Sequence, residues 1–319
     1  MDQTRFRAMG TDCHVLIEAG DPVVEMRFLT AARQRIELLE QCWSRFRPDS
    51  ELSTMNARAG RGPQPVSEDY LLLVSRMREA WELSGGLFDP TVLTSMTTLG
   101  YDTDFDTVAA RTATPPTDIS LLPAPGMSGI IIDETAMTVA LPAGIGLDPG
   151  AIGKGLAADV IAEEFQQAGV DGVLVNLGGD ISIAGQIDEP WAIGVDDERL
   201  PRDRGDRTLR VLEFPLGTDR LGVATSTTLK RRWARGRRHH IIDPRSGAMT
   251  HSDLVQVTAV DSTAWQAEIT ATTALLQEST QARAWLEAHG TPALLLTDHD
   301  LRLTTPLAMA SDLQEAHRG

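Results

Sequence analysis

The sequence predicts an α/β protein of the α+β type, a single unit with mixed sheets, packed helices and an N-terminal helical lobe. Segments of alternating apolar and polar residues, typical of strands, are interspersed with segments whose apolar residues recur at helical spacing. No composition shift and no internal repeat divides the chain into separate halves. We therefore expect one domain over residues 1–319, with the helical lobe in the first 125 residues.

The N-terminal part of the chain predicts one strand followed by two helices. Residues 5–18 alternate apolar and polar side chains, which indicates a strand. Apolar residues three and four positions apart then predict amphipathic helices over 23–42 and 67–84. Ser67 suits the N-cap of the second helix, because its hydroxyl can accept a hydrogen bond from a free N–H of the first turn.

The centre of the chain predicts a strand–loop–helix–strand unit. A glycine-rich loop over 147–155 leads into a helix over 157–168 and a strand over 173–176. A Gly-Gly turn then leads into a strand over 181–184. Residues 196–207 are charged and without apolar periodicity, so they are expected to form a mobile loop.

Shorter elements complete the prediction. They are a surface connection over 102–128, paired strands over 130–132 and 138–141, further strands over 208–214, 221–225, 255–260, 293–297 and 301–304, and helices over 263–277 and 280–289.

The charge balance excludes some classes of function. Lys and Arg total 29 and Asp and Glu total 45, giving a net charge of −16, which argues against general binding of nucleic acid or anionic membranes. A small anionic ligand held in a local basic pocket remains compatible. No apolar run reaches the length of about 18 residues that a membrane helix needs. The first residues lack a basic segment followed by an apolar core, so we expect a cytoplasmic protein.

The first candidate binding motif is the glycine-rich segment over 150–155. A helix start offers free N–H groups and a positive dipole, and Lys154 adds a full charge, so the motif suits a phosphate. It is not a Walker loop, because Asp148 and Gly155 replace residues that the Walker motif requires. The alternative is a tight turn with a solvated lysine. A second turn, with Gly178 and Gly179, could expose N–H groups to a ligand or be a plain sheet turn.

Two later segments carry groups that suit acid–base or metal chemistry. Thr225 and Ser226 follow a strand and could bind phosphate or ribose, while His240 could act as an acid or base, or be a structural histidine. Glu268 and Thr272 are four positions apart on a helix, so both oxygens lie on one face. A carboxylate and a hydroxyl suit Mg²⁺, although a solvated polar face would give the same pattern.

The order of these motifs resembles that of the ApbE family of flavin transferases, the FAD:protein FMN transferases. The resemblance covers roughly residues 5 to 280 and is strongest at the central loop, the Gly-Gly-Asp turn and the His-Ile-Ile-Asp-Pro segment. It implies a T-fold-like unit that binds FAD and Mg²⁺. It further implies transfer of FMN to a Thr or Ser hydroxyl of an acceptor protein, with release of AMP.

The resemblance also implies roles for individual residues. His240 would be a general base for the acceptor hydroxyl or a phosphate contact. The metal would be bound by Glu268, Thr272 and the carbonyl of Ala151. The implied FAD-binding residues are Met9, Phe46, Asp89, Lys154, Gly178, Gly179, Thr225, Ser226 and His240.

Departures from the family pattern keep other functions open. Glu268 stands where the family usually has Asp, and its extra methylene shifts the position of any metal. An FAD pyrophosphatase, in which water replaces the acceptor hydroxyl, would use the same site. The altered metal ligand is also compatible with a protein that binds FAD without catalysing a reaction. The basic run over 230–238 is either a solvated loop or a contact surface for an acidic acceptor.

Overall fold

The computed structural model describes residues 1–112, 119–201, 203–215, 218–305 and 307. Its helices are α1 (Pro22–Trp43), α2 (Glu51–Ala57), α3 (Glu68–Leu83), α4 (Leu93–Thr98), α5 (Phe105–Ala109), α6 (Gly153–Gln167), α7 (Ala264–Leu275) and α8 (Ser279–Ala288).

Its strands are β1 (Asp2–Ala8), β2 (Thr11–Glu18), β3 (Gln64–Pro65), β4 (Ile131–Asp133), β5 (Thr138–Ala140), β6 (Gly172–Leu177), β7 (Asp180–Gly185), β8 (Trp191–Asp196), β9 (Thr208–Phe214), β10 (Arg220–Thr227), β11 (Arg232–Trp233), β12 (Arg238–His239), β13 (Leu254–Asp261), β14 (Ala293–Thr297) and β15 (Leu301–Leu303).

An eight-stranded sheet organises the described part of the chain. Its strand order is β1-β2-β6-β7-β10-β13-β14-β15, and each neighbouring pair is antiparallel. Smaller sheets are β3-β5-β4, β8-β9 and β11-β12. The central strands β6 and β7 are buried along almost their whole length, because helices cover one face of the sheet and the β8-β9 hairpin packs on the other.

The N-terminal helices and the sheet share one apolar core. Helix α1 buries Leu29, Ala32, Ile36 and Leu39, which recur every three or four residues and therefore form one helical face. This face belongs to the same cluster as the inward residues of β2 and β6, and α3 contributes to it too. The helices of the first 125 residues thus join the single unit predicted for the chain.

The single strand predicted over 5–18 is wrong, because this segment is part of a hairpin. Ala8 of β1 pairs with Thr11 of β2, and the two residues between them reverse the chain. Met9 and Gly10 have φ of 50° and 66°, a left-handed pair that matches the twist of a two-residue hairpin turn. Apolar and polar residues alternate on both sides of the turn, so the sequence pattern does not indicate the turn.

The charged segment over 196–207 also differs from its prediction as a mobile loop. It connects β8, which the sequence did not predict, to β9. Hydrogen bonds hold its described residues in place. The N–H of Asp197 donates to the carbonyl of Arg207 at 2.8 Å, and the N–H of Glu198 donates to Oε1 of Gln256 at 3.0 Å. The segment is therefore held by one backbone hydrogen bond across the hairpin and by a second to a side chain of β13.

The predicted surface connection over 102–128 contains a short helix, α5, in its described part. Asp104 caps this helix by accepting a hydrogen bond from the N–H of Thr107 at 2.9 Å. Residues 113–118 of the connection lie outside the described residues. A helix this short carries too few apolar positions for a periodicity to be recognised.

Helix α6 begins at Gly153, four residues earlier than predicted, which places Lys154 in its first turn. Gly155 is required here by packing, because a Cβ at this position would lie 2.6 Å from the carbonyl oxygen of Ala264. The starts of α6 and α7 therefore touch through their backbones. Asp159 fixes the contact by accepting hydrogen bonds from the N–H groups of Ala264 and Trp265 at 3.0 and 2.9 Å.

No helix in the described ranges combines the length and the apolar character that crossing a membrane requires.

Replacing Asp159 with Ala should lower the free energy of unfolding by about 1–3 kcal/mol, because two buried N–H groups at the start of α7 lose their acceptor. Glu163→Ala, on the same helix, is the control, since its ion pair with Arg220 is exposed and is worth about 0–1 kcal/mol. Urea unfolding followed by circular dichroism measures both. Equal losses in the two variants would contradict the role assigned to Asp159.

Candidate active site

A cleft of about 1310 Å³ opens where the β1-β2 turn, the β6-β7 turn, the end of β10 and the starts of α6 and α7 meet. Its lining includes every site residue predicted from the sequence. They are Met9, Phe46, Asp89, Ala151, Lys154, Gly178, Gly179, Thr225, Ser226, His240, Glu268 and Thr272.

The turn between β6 and β7 is shaped by its two glycines. Gly178 and Gly179 have φ of 73° and 105°, where other residues are strained. A Cβ on Gly178 would lie 2.1 Å from Oγ1 of Thr11, so the two turns at this end of the sheet are in direct contact. The N–H of Gly179 donates to Oδ1 of Asn176 at 2.9 Å. This turn brings Asp180, the first residue of β7, into the cleft.

A buried ionic cluster lies at the centre of the cleft. Nζ of Lys154 forms ion pairs with Oδ2 of Asp180 and with Oε1 of Glu268, the latter at 2.5 Å. The second oxygen of Glu268 accepts a hydrogen bond from the N–H of Gly155 at 2.8 Å. The two carboxylate side chains are only 4% and 3% exposed. The cluster therefore joins α6, α7 and β7 through charges that are removed from water.

Burial and charge shift the pKa values of this cluster. Burial, followed by the negative charge of Asp180, raises the pKa of Glu268 to about 7, although Lys154 opposes the shift. Burial would lower the pKa of Lys154, but the combined charges of Asp180 and Glu268 outweigh it and raise the pKa. The ammonium group therefore stays charged. One lysine faces two carboxylates, so the cluster carries an excess of negative charge when Glu268 is ionised.

Several N–H groups of the glycine-rich loop, which the sequence suggested for phosphate binding, form hydrogen bonds within the chain. The N–H of Gly150 donates to Asp148, that of Gly153 to the carbonyl of Pro149, and that of Gly155 to Glu268. These backbone donors are already satisfied within the chain. The positive charge of Lys154 remains the feature of this loop that suits an anion.

The hydroxyl of Ser226 on β10 faces helix α7 beside the ionic cluster, whereas the hydroxyl of its neighbour Thr225 lies on the other face of the strand. Oγ of Ser226 lies 2.8 Å from Oγ1 of Thr272, and Oγ1 of Thr225 lies 2.8 Å from Oγ1 of Thr258 on the next strand. Thr272 is one helical turn beyond Glu268, so a carboxylate and a hydroxyl lie on the same face of α7.

The donor set of the cleft fits a hard divalent cation. Glu268 and Thr272 supply oxygen ligands, and the excess negative charge of the cluster favours a cation. No three His, Cys, Asp or Glu side chains within the described ranges are grouped to hold a metal on their own. A metal here would therefore also use backbone oxygens, such as that of Ala151, and oxygens of a bound ligand. Lys154 would have to release Oε1 of Glu268.

His240 enters the cleft as a neutral imidazole. Its Nδ1 is buried and has no hydrogen-bond partner among the described residues. Burial, and then the positive charge of Arg231, holds the pKa of His240 well below its usual range. His239 precedes it on β12 and does not line the cleft, as expected for neighbouring residues of an extended chain. The two histidines therefore do not form a shared metal site.

Met9 and Asp89 line the cleft but also hold local structure. The N–H of Met9 donates to Oε2 of Glu40 at 2.8 Å. Oδ1 of Asp89 accepts hydrogen bonds from the N–H and the hydroxyl of Thr91 at 2.9 and 2.6 Å, which caps a short 3₁₀ helix over Pro90–Val92. Burial raises the pKa of Asp89. These contacts fix the edge of the cleft that Met9 and Asp89 line.

One wall of the cleft is built from stacked flat groups. The Phe46 ring is 39% exposed and lies 4.1 Å from the guanidinium carbon of Arg45, which in turn lies 4.5 Å from the centre of the Tyr101 ring. Nε of Arg45 pairs with Oδ2 of Asp148 at 3.0 Å. This ion pair ties the wall to the loop that carries Lys154.

Sequence reasoning missed several groups of the cleft. Arg45 and Tyr101 are separated by 56 positions, and no local pattern connects them. Asp180 was recognised as part of a turn motif, but not as a partner of Lys154. Arg231 lines the cleft, although the basic run that contains it is predicted to be a solvated loop or a contact surface; the available signal is its position five residues after Ser226.

Comparisons with known proteins indicate the family of the chain. A model described as the ApbE family matches residues 9–295. The chain is similar to an FAD:protein FMN transferase of Vibrio cholerae, with 25% identity over 300 residues that cover 92% of this chain and 86% of that protein. It is also similar to one of Treponema pallidum, with 30% identity over 269 residues, covering 78% and 71%.

Solved structures show the same fold. The ApbE protein of Thermotoga maritima is similar with a TM-score of 0.78 and 21% identity, covering 97% of this chain and 98% of that one. The apo form of the Pseudomonas stutzeri flavinyl transferase ApbE is similar with a TM-score of 0.74 and 22% identity, covering 96% and 95%. These similarities confirm the predicted fold class.

A double-mutant cycle should reveal strong coupling between Lys154 and Glu268. Lys154→Met alone should cost about 3–5 kcal/mol of unfolding free energy, because it leaves two buried carboxylates without a countercharge. Adding Glu268→Gln should restore part of this loss, giving a coupling energy of about 1–3 kcal/mol. Chemical denaturation of the two single variants and the double variant measures the coupling.

The exposed pair Arg283–Glu287 on α8 provides the matched cycle, with an expected coupling below about 1 kcal/mol. Additive losses at Lys154 and Glu268 would contradict a buried ionic cluster.

Proposed function

We infer that this chain, which belongs to the ApbE family, is an FAD:protein FMN transferase. The proposed reaction moves FMN from FAD to a Thr or Ser hydroxyl of an acceptor protein, depends on Mg²⁺ and releases AMP. The observation that carries the proposal is the convergence of Lys154, Glu268, Thr272 and a neutral His240 in one cleft. Phosphoryl transfer needs this combination of fixed positive charge, oxygen ligands for a metal and a proton acceptor.

The cleft suits a dinucleotide substrate in size and in chemistry. Its volume of about 1310 Å³ exceeds the roughly 300–1,000 Å³ of ordinary small-molecule pockets, as FAD requires. The exposed Phe46 ring offers a flat apolar face for an aromatic ring of FAD. Lys154 and Arg231 would neutralise the pyrophosphate, because a guanidinium binds phosphate oxygens in pairs and an ammonium does so as a point charge.

Glu268 and Thr272, with the carbonyl of Ala151, are the residues that would hold Mg²⁺. When bound, the metal supplies positive charge against the pyrophosphate oxygens, which lowers the cost of the charge that develops on the leaving group. Without the metal, Lys154 holds Glu268 in place. When the metal binds, Lys154 would turn to the phosphate. Glu268 is longer than the Asp that the family usually has. The hydrogen bond from the N–H of Gly155 fixes the position of its carboxylate.

The chemical step joins the acceptor to the FMN half of FAD. The hydroxyl oxygen of the acceptor attacks the phosphorus of the FMN half, and the bond from this phosphorus to the bridging oxygen breaks. AMP leaves with the bridging oxygen, and the FMN is bound to the acceptor through a phosphoester. His240 accepts the hydroxyl proton, for which its neutral form is required.

The direct test incubates the protein with FAD, Mg²⁺ and a Thr-containing acceptor peptide. AMP in the chromatogram together with an FMN-sized mass gain on the peptide supports the transferase. AMP with free FMN and an unmodified peptide would instead support the pyrophosphatase, in which water takes the place of the hydroxyl. Bound FAD without AMP would support a non-catalytic flavin-binding protein.

Removing the proposed metal ligands should abolish the Mg²⁺ response. Glu268→Ala or Thr272→Ala should lower AMP release about 100-fold or more, because the charge of the leaving group is no longer neutralised. Thr270→Ala is the matched control, since Thr270 lies on the same helix and does not line the cleft. The measurement is the rate of AMP release over a series of Mg²⁺ concentrations. A dependence on Mg²⁺ that is unchanged in both Glu268→Ala and Thr272→Ala would overturn the metal assignment.

The proton acceptor can be tested by comparing the two neighbouring histidines. His240→Gln should lower kcat for FMN transfer by about 100-fold or more, with a small effect on the KM for FAD, if the imidazole takes the hydroxyl proton. His239→Gln should leave kcat nearly unchanged, because His239 is outside the cleft. A rise in the KM for FAD with an unchanged kcat would instead identify His240 as a phosphate contact.

A further inference from the structure

A basic hairpin stands out from an otherwise acidic chain. We use this name for residues 230–238, which contain β11, the turn that follows it and the first residue of β12. These nine residues hold six of the 29 Lys and Arg residues, and no Asp or Glu occurs between Asp219 and Asp243. The chain as a whole carries a net charge of −16. Such a local reversal of charge is a feature that a binding partner can recognise.

The basic hairpin is anchored to the body of the protein. Trp233 is buried, its Nε1 donates to the carbonyl of Leu99 at 2.9 Å, and its ring lies 5.4 Å from that of Tyr101. Arg238 also donates to the carbonyl of Leu99, at 2.7 Å. A surface held in this way presents its charges without first paying for the ordering of a loose segment.

The turn of the basic hairpin has an unusual backbone. Ala234, Arg235 and Gly236 all have positive φ, of 53°, 60° and 77°. Left-handed geometry at non-glycine residues persists only where the surroundings enforce it, and here the pairing of β11 with β12 does so. Arg235 and Arg237 are exposed in and beside this turn, whereas Trp233 is on the buried side.

The basic hairpin borders the reacting groups of the cleft. It follows Ser226 and Thr227 at the end of β10, and His240 lies two residues after its last residue. Lys230 and Arg231, at its start, line the cleft. A protein segment that brings a hydroxyl to His240 therefore passes close to its arginines.

Three arginines of the basic hairpin have no ion-pair partner among the described residues. Lys230 pairs with Glu198 at 2.8 Å. Among the described residues, no carboxylate lies within ion-pair distance of Arg231, Arg235 or Arg237. The nearby acids of the cleft, Asp104 and Asp106, cap α5 or pair with Arg7. The outer arginines are thus free to meet charges on another molecule.

We propose that the basic hairpin is a docking surface for an acidic segment that flanks the target hydroxyl of the acceptor protein. This inference rests on the proposed function, because it assigns a partner to the same site. An acidic segment is attracted to the hairpin and repelled by the acidic remainder of the surface, so the charges both attract and orient it. A long polyanion, such as nucleic acid or an anionic membrane, would also contact the acidic surface that repels it, so it would bind more weakly.

The test compares a Thr peptide flanked by Asp and Glu with the same peptide carrying Asn and Gln. Binding is measured by fluorescence anisotropy in the presence of FAD, and FMN transfer is measured separately by peptide mass. We expect the acidic peptide to bind about tenfold more tightly, with the preference fading at high salt. Arg235→Glu combined with Arg237→Glu should remove the preference while leaving FAD affinity unchanged.

The matched control is Arg58→Glu with Arg61→Glu, two exposed arginines in a loop that does not line the cleft. It should keep the full preference for the acidic peptide. A preference that is absent, or that survives in the Arg235→Glu, Arg237→Glu protein, overturns the proposal. Tighter binding of a single-stranded oligonucleotide or of phosphatidylserine vesicles, lost in this variant, also overturns it.

The binding measurement does not depend on catalysis, so the two proposals fail separately. Charge-dependent binding without FMN transfer supports the docking surface and contradicts the transferase. FMN transfer at equal rates to both peptides, with equal affinities, supports the transferase and contradicts the docking surface.

Discussion

The ionic contact of Lys154 with Asp180 and Glu268 is the constraint on which the rest of the site depends. It removes two carboxylates and most of a lysine side chain from water, and such a cluster persists only when the surrounding elements hold its members at close range. Those elements are the starts of α6 and β7 and the first half of α7. The backbone contact at Gly155 and the cap provided by Asp159 bring the two helices together. The packing between α6 and α7 therefore sets the position of the cluster.

The cleft combines groups from distant parts of the chain because the sheet brings its turns and strand ends together. The β1-β2 turn and the β6-β7 turn touch, and β10 pairs with β7, so hydroxyls, a carboxylate and a lysine converge at one end. Arg45 adds a second link, since its pair with Asp148 connects the aromatic wall to the central loop. The basic hairpin extends this arrangement outward from the buried charges to the surface.

The sequence predicted most of the fold and the membership of the cleft, but not its internal contacts. Helices α1 and α3 are long and have apolar residues at helical spacing, so the sequence predicts them, whereas α2, α4 and α5 are too short to show a pattern. The hairpin turn at Met9 was hidden because alternation continued on both sides of it. Gly155 was interpreted as a residue for ligand approach, yet it is required by contact with Ala264. The ion pair of Lys154 with Glu268 joins residues 114 positions apart, a separation at which no local pattern operates.

A crystal structure of the protein with bound FAD would test the account most directly. If the cleft is a flavin-transfer site, the pyrophosphate of FAD will lie within hydrogen-bond distance of Lys154, with the phosphorus of the FMN half beside His240. Phe46 will contact an aromatic ring of the ligand. FAD bound outside the cleft, or bound with its pyrophosphate remote from Lys154 and His240, would contradict the account.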